Sequence, residues 1–112
     1  MKADDVNVRD MHGRTPLMEA ASRCWSEEVK KLIKDGADVN ATNPYGESAL
    51  MMAVMERDSE SVLALIEAGA DVNVRSESKS TALMWAAGMG DSECLNLLIQ
   101  GGADLEIRDM DG

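Results

Sequence analysis

The amino-acid sequence predicts an all-α solenoid, in which helix-turn-helix units stack and β-hairpin-like turns project from one side. Two observations lead to this prediction. Three blocks of the 112-residue chain align without a gap at a period of 33 residues, and each block carries the same signals for starting and ending a helix. A fixed period of this length is typical of repeat proteins, because one unit cannot bury its apolar face alone.

A short helix is predicted at the start of each block. The three starts are Thr15-Pro16-Leu17-Met18, Ser48-Ala49-Leu50-Met51 and Thr81-Ala82-Leu83-Met84. A hydroxyl side chain caps a helix because its oxygen accepts a hydrogen bond from an unpaired backbone N–H. Pro16 suits the first helical position because the backbone N–H that proline lacks would have no hydrogen-bond partner within the helix there. Small residues follow in register, and they allow a second helix to approach closely: Ala20-Ala21, Ala53-Val54 and Ala86-Ala87.

A second helix is predicted to begin in each block at a Ser-Glu pair, with the serine as the cap. The pairs are Ser26-Glu27, Ser59-Glu60 and Ser92-Glu93. An acidic first turn is favourable beside the positive end of the helix dipole. Apolar residues follow at i, i+3 and i+4 spacing, as in Val29, Leu32 and Ile33. A glycine in the left-handed conformation is predicted to end each helix, at Gly36, Gly69 and Gly102.

Between the helix pairs, four-residue segments match the type I turn, with Asp or Asn at the first place and Gly at the fourth. The segments are Asp10-Met11-His12-Gly13, Asn43-Pro44-Tyr45-Gly46 and Asp109-Met110-Asp111-Gly112. Lys79 occupies the position of these glycines in the remaining turn. We therefore expect Lys79 to be strained in a left-handed conformation, which glycine adopts freely.

These motifs resemble those of ankyrin repeats. The resemblance rests on Gly13-Arg14-Thr15-Pro16-Leu17 and Gly36-Ala37-Asp38-Val39-Asn40 at their 33-residue spacing, and it covers nearly the whole chain. It implies one domain over residues 1–112, with a partial edge (1–12) and repeats at 13–45, 46–78 and 79–111. The last repeat runs into the start of a further one, and its apolar Leu105 and Ile107 lie near the end. We expect a segment of a longer array or an engineered excerpt.

The chain departs from the family pattern at two sets of positions. The histidine usual after Thr-Pro-Leu is methionine in all three repeats, so thioether packing is expected in place of a polar network. Cys24 and Arg57 occupy a glycine position that Gly90 retains. Neither departure changes the predicted fold.

Composition limits the classes of function. With 21 acidic and 11 basic residues the net charge is −10, which repels phosphate, so we expect neither nucleic acid nor an anionic membrane as partner. The N-terminus lacks the apolar core of a signal peptide, and the longest apolar run, residues 49–55, is far too short to span a membrane. These features favour a cytoplasmic location, with Cys24 and Cys94 as reduced thiols.

No catalytic, cofactor or metal site is predicted. His12 is the sole histidine and lies on a turn, so a Ser or Cys nucleophile has no obvious base in a buried site. Carboxylates such as Glu27 and Glu28 fall on predicted solvated helix faces. The sequence contains no CxxC, no HExxH and no phosphate-binding glycine loop. Enzyme activity is therefore the least favoured of the functions.

Binding to a partner protein is the function that the resemblance implies. In ankyrin repeats, partners tend to meet a concave face made of the turn tips and the exposed parts of the first helices; we call this surface the tip face. By register, the predicted partner-binding residues are Arg9, Met11, His12, Arg14, Arg23, Tyr45, Glu47, Met55, Arg75, Trp85 and Met89. The alternative is an excerpted or engineered scaffold without a native ligand. Uncovered repeat ends are also expected to permit weak self-association.

The arginines of this set have two interpretations. Arg9, Arg75 and Arg108 share one repeat position. They either bind carboxylates of a partner, or they pair locally with Asp10 and Asp109 or are solvated, and the second interpretation is favoured.

The apolar residues also have two interpretations. Met52 and Trp85 belong either to an adaptable apolar patch, since methionine tolerates varied partners, or to the packing between repeats. Trp25, on the opposite side, is interpreted as a packing cover.

Overall fold

The computed structural model describes residues 6–103 of the chain. In this range there are six helices: α1 (Pro16–Ser22), α2 (Ser26–Lys34), α3 (Ala49–Met55), α4 (Ser59–Glu67), α5 (Ala82–Met89) and α6 (Ser92–Gln100). The only β structure among these residues is an isolated antiparallel bridge between Thr42 and Ser48. The prediction of an all-α helical repeat is confirmed, whereas the repeat boundaries stay a prediction.

The first helix of each pair begins as the sequence predicts. The Thr15 hydroxyl accepts a hydrogen bond from the Met18 N–H at 3.3 Å, and Pro16 is the first helical residue. Ser48 and Thr81 cap α3 and α5 in the same way. These hydroxyl residues are buried together with the apolar residues that follow them, so each cap also satisfies a polar group in the core.

The predicted serine caps of the second helices are wrong by one residue. Each serine is the first residue of its helix, and the caps are Trp25, Asp58 and Asp91. The Asp58 carboxylate accepts from the Ser61 N–H at 3.3 Å. An aspartate is a strong helix cap, and it carries negative charge to the helix terminus, which leaves the serine free to enter the helix.

The helices form two layers. The first helices α1, α3 and α5 pack side by side, the second helices α2, α4 and α6 form the other layer, and each first helix packs against its own second helix. The core between the layers is aliphatic and thioether, and Leu17, Met18, Leu50 and Met51 are among its fully buried side chains. The expected thioether packing is confirmed at Met18 and Met51.

Left-handed backbone occurs where the sequence predicts it. Gly36, Gly69 and Gly102 follow the second helices with φ of 97°, 95° and 98°. Lys79 has φ of 71°, and this places a side chain with a β-carbon in the region that favours glycine.

Asparagines of the Gly-Ala-Asp-Val-Asn segments join successive repeats, a role that the sequence analysis did not identify. The Asn40 side-chain oxygen accepts from the Asp71 N–H at 2.6 Å, and its amide donates to the Gly69 carbonyl at 3.4 Å. Asn73 donates to the Gly102 carbonyl in the same register. Each asparagine therefore satisfies backbone groups at the end of the next helix pair.

The third repeat is less covered than the first two. Ala87 is exposed, whereas Ala21 and Val54, which occupy the same repeat position and are its register mates, are fully buried. Ile99 is also exposed. Among the described residues α5 and α6 have neighbouring helices on one side only, which accounts for both exposures. Leu105 and Ile107 lie outside the described residues.

Candidate partner-binding surface

Three turn tips project from the first-helix layer: tip 1 (residues 10–13), tip 2 (43–46) and tip 3 (76–79). Each is closed by a hydrogen bond from the fourth N–H to the first carbonyl, from Gly13 to Asp10 and from Gly46 to Asn43 at 2.9 Å, and from Lys79 to Ser76 at 2.8 Å. The predicted four-residue turns are confirmed for the two tips in this range, and their type stays a prediction. The predicted turn at 109–112 lies outside the described residues.

Tip 1 is stiffened by its aspartate. The Asp10 carboxylate accepts from the Arg14 N–H at 3.0 Å and from the His12 N–H at 2.8 Å. The Arg14 N–H, followed by the other donors and charges, lowers the pKa of Asp10. In tip 2 the uncharged Asn43 side chain takes the place of the Asp10 carboxylate. Its oxygen accepts from the Tyr45 and Glu47 N–H groups. These contacts hold the tip side chains on a defined turn.

Of the local interactions expected for the arginine row, the pairing of Arg9 with Asp10 is wrong. Arg9 donates to the carbonyls of Gly13 and Thr42 at 2.7 and 2.9 Å, not to Asp10. Arg75 donates to the Lys79 carbonyl at 3.2 Å, which is the register equivalent of the bond to Gly13. The Asp10 carboxylate instead accepts the His12 and Arg14 N–H groups of its own turn at Oδ1. Arg108 lies outside the described residues.

Two arginines, one before the start of α1 and one after its end, pair with the same carboxylate. Glu19 forms an ion pair with Arg14 at 3.2 Å and with Arg23. Arg14 also donates to the Ser22 hydroxyl at 2.7 Å. Its Nε is buried, with no hydrogen-bond partner among the described residues. The cluster therefore keeps an excess of one positive charge.

The packing role predicted for Trp25 is wrong. Trp25 is 52% exposed, and the Arg23 guanidinium lies over its ring, with 5.4 Å from Cζ to the ring centroid. The contact is a cation–π interaction at the surface. The Arg23 guanidinium thus contacts both Glu19 and the loop between α1 and α2.

Four of the predicted binding residues line one groove between tips 1 and 2, which we call the inter-tip groove. It encloses about 440 Å³, and its lining residues are His12, Arg14, Ser22, Asn43, Tyr45, Glu47 and Met52. Tyr45 is 63% exposed, whereas Met52 is only 6% exposed. Met52 therefore packs mainly between the repeats, and only a small part of its side chain is accessible from the groove. Sequence reasoning missed Asn43 as a lining residue, although its turn position was the available signal.

Trp85 and Met89 line a second groove, which we call the α5 groove. It encloses about 350 Å³ and is lined by Ser80, Met84, Trp85, Gly88 and Met89. The spacing of four residues brings Trp85 and Met89 to one helix face as predicted. Trp85 is 37% exposed, so it is accessible as well as packed.

The other predicted residues are not brought into either groove. Met11 is 92% exposed at the end of tip 1. Met55 is half-buried against the core. Arg9, Arg23 and Arg75 are held by the carbonyl, carboxylate and ring contacts described above. Six of the predicted residues therefore line the two grooves, and the other five lie outside them.

The tips are joined to one another in two different ways. The Glu77 N–H of tip 3 donates to the Tyr45 carbonyl of tip 2 at 2.8 Å. The register mate of Glu77 is Pro44, which has no N–H. Among residues 6–103 no backbone donor reaches the His12 carbonyl, the mate of the Tyr45 carbonyl. The inter-tip groove lies at this unbonded junction.

Charge is distributed unevenly between the two sides of the described chain. The tip side (residues 9–23, 42–57 and 75–90) carries six basic and five acidic side chains. The back side (24–41, 58–74 and 91–103) carries three basic and ten acidic ones. All five arginines of the described chain lie on the tip side. The tip side is thus close to neutral on a protein that is otherwise strongly acidic.

Other kinds of site find little support in the described part of the chain. No group of three or more His, Cys, Asp or Glu side chains within residues 6–103 is placed to hold a metal ion. Cys24 is an exposed thiol and Cys94 a buried one, and they are not bonded to each other. None of α1 to α6, the helices of residues 6–103, is long and apolar enough to cross a membrane.

The fold defines a helical-repeat protein in which pairs of helices stack in two layers. The family sequence model described as "Ankyrin repeats (3 copies)" matches residues 2–76, and the one described as "Ankyrin repeat" matches residues 78–110. The chain therefore belongs to the ankyrin repeat family. No curated protein matches it. Ankyrin repeats are generally protein–protein interaction modules and are typically non-enzymatic.

Proposed function

We propose that this protein is an interaction module that binds a partner protein on the tip face, the side expected to be concave. One observation carries the proposal: the inter-tip groove and the α5 groove both open on the first-helix side, and six of the eleven predicted residues line them. Exposed Tyr45 and Trp85 lie one in each groove, and aromatic residues are the usual anchors of interfaces.

The charge distribution supports the same side. Arginine is enriched in interface cores, whereas aspartate and glutamate are depleted. The tip side carries all the described arginines, and the back side carries twice as many acidic residues as the tip side. The composition of the tip side is therefore nearer to that of a protein interface.

An alanine scan against a selected binder tests the proposal. A binder is selected from a protein-scaffold library on the whole chain, and Tyr45→Ala and Trp85→Ala are compared with Lys31→Ala and Glu67→Ala on the back side. Each aromatic truncation is expected to cost about 2 kcal/mol of binding free energy, and each back-side change within roughly 0.5. Far-UV circular dichroism controls for folding. Equal losses on both sides would move the site off the tip face.

Two further properties stay predictions. A cytoplasmic location follows from sequence features alone. Weak self-association is expected because apolar residues such as Val8 and Ile99 are exposed at the two ends of the described chain. Sedimentation at increasing concentration measures it, and a constant monomer mass would contradict it.

A further inference from the structure

We propose that the inter-tip groove binds an extended segment of the partner that carries an acidic side chain next to an apolar one. The proposal rests on the proposed function and names the chemistry of the ligand. It has three supports: a backbone acceptor to which Pro44 can donate no N–H, an arginine of the groove that shares its carboxylate with a second arginine, and an apolar wall.

The unpaired acceptor is the first support. At the junction of tips 2 and 3, the Glu77 N–H donates a hydrogen bond to the Tyr45 carbonyl. At the junction of tips 1 and 2, Pro44 supplies no N–H, and the His12 carbonyl receives no backbone donor from residues 6–103. A strand-like partner segment presents N–H groups of the missing kind, and such main-chain bonds are a common source of affinity for extended peptides.

Charge is the second support. Arg14 lines the groove, and it shares the carboxylate of Glu19 with Arg23. An acidic side chain of the partner supplies Arg14 with a carboxylate that it does not share with a second arginine.

The groove wall is the third support, and it limits the ligand to one acidic group. Tyr45 and the edge of Met52 form an apolar surface for a neighbouring side chain. Glu47 also lines the groove, with one carboxylate oxygen held by the Asn43 amide at 3.0 Å. Its second oxygen can accept a partner N–H but repels a further carboxylate. A uniformly acidic segment is therefore disfavoured, and a mixed acidic and apolar one fits.

Pro44→Ala provides a test in which unfolding cannot imitate the expected result. The restored N–H is expected to bond to the His12 carbonyl, as Glu77 does to Tyr45, and so to close the junction. Stability should stay unchanged or rise while binding weakens. Pro16→Ala is the matched control, since it removes the other proline, which is the first residue of α1 and does not line the inter-tip groove.

The probes are 12-residue peptides selected from a random display library on the whole wild-type chain, then synthesised and measured by fluorescence anisotropy. We expect an acidic residue beside an apolar one in the selected peptides, and binding to Pro44→Ala about tenfold weaker than to wild type. Pro16→Ala should stay within about twofold. Replacing the acidic residue of the peptide by Gln should weaken binding to the wild-type chain about tenfold and reduce its salt dependence. This last comparison needs no protein variant.

The outcomes separate the two proposals. Peptides that bind Pro44→Ala and wild type equally, or that tolerate the Gln replacement, would overturn the assignment of this groove. If such peptides still lose affinity with Trp85→Ala, the partner site lies elsewhere on the tip face and the proposed function stands. Peptides that respond to none of these changes would count against both.

Discussion

The junction between repeats 1 and 2 and the junction between repeats 2 and 3 have the same backbone register but are held by different contacts. In the first, the Arg9 side chain reaches the Thr42 carbonyl, and the Pro44 ring packs on Gly13. In the second, a backbone bond joins Glu77 to Tyr45. Single substitutions in register have thus replaced a main-chain link by side-chain links, and a groove lies where the main-chain link is missing.

The same contrast continues along the loops and the back of the stack. Cys24 and Arg57 are register mates with φ near 60°, yet only Arg57 crosses its junction, donating to the Met89 carbonyl at 3.0 Å. Behind them, Lys30 forms an ion pair with Glu60, whereas the equivalent of Lys30 at the next junction is exposed Leu63. A repeat architecture therefore tolerates exchange of individual contacts while the layers stay the same.

Gly13→Ala is expected to have the largest effect. An added β-carbon would lie 2.8 Å from Pro44 Cδ, and Gly13 has φ of 77°. We expect a loss of roughly 2 to 4 kcal/mol in the free energy of unfolding, from the left-handed conformation and from overpacking. Urea denaturation measures it.

A double mutant separates the two causes of that loss. Pro44→Ala in the Gly13→Ala background should recover the overpacking part and leave the conformational part. Gly69→Ala is the control, because its β-carbon meets nothing within 4 Å; it should show no coupling to Pro44→Ala. A coupling energy near zero between positions 13 and 44 would break the proposed difference between the junctions.

Glu77→Pro converts the second junction into the chemistry of the first. The substitution removes the N–H that donates to the Tyr45 carbonyl, so we expect a loss of about 1 kcal/mol in the free energy of unfolding. Glu77→Ala keeps the N–H and should change stability by less than about 0.5 kcal/mol. Equal urea midpoints for the two variants would mean that the inter-tip bond contributes nothing.

Lys79→Gly is expected to stabilise tip 3. The left-handed conformation at φ of 71° costs a β-carbon residue roughly 1 to 2 kcal/mol, partly offset by the greater freedom of glycine when unfolded. A net gain of about 0.5 to 1 kcal/mol follows. Lys79→Ala retains a β-carbon and should gain little. A lower urea midpoint for the glycine variant, at an unchanged slope, would refute the strain.

The two thiols report on the two junctions with the smallest expected effects. Cys24 is exposed at the first junction, and partial burial, followed by the Asp58 and Glu56 charges, raises its pKa. Cys94 is buried in α6, and burial, with Asp91 as hydrogen-bond partner, raises its pKa to about 12. A disulfide reagent should titrate one thiol in the folded protein and two after unfolding. Two fast thiols in the folded protein would show that the second junction opens.

The pH dependence of stability follows from the sign of these shifts. A thiol with a raised pKa in the folded state favours folding while it is neutral. The contribution of Cys94 is therefore present below its ordinary pKa of 9.0 and is lost as the pH rises toward about 12. Cys94→Ala should flatten the loss of stability over this alkaline range. An unchanged profile would assign the loss to other groups.

Much of the fold was predictable because its signals act over a few residues. Thr15 and Pro16 start a helix, and Gly36 ends one, through contacts within a single turn of the chain. The serine caps were misplaced because Asp58 and Ser59 both have capping side chains, and the backbone entering the helix decides between them. Trp25 was misinterpreted because hydrophobicity alone does not show whether a loop residue is covered.

By itself, the sequence determined the period, the starts of the first helices and the left-handed positions, since all of these depend on local chemistry repeated at 33 residues. Only the tertiary structure decided that Arg9 reaches Thr42, 33 residues away, and that Asn40 donates to the end of the next helix pair. It also decided that, among residues 6–103, no backbone N–H donates to the His12 carbonyl. The physical reason is that these contacts join groups on different repeats, whose distances are set by the stacking of helices rather than by neighbouring residues.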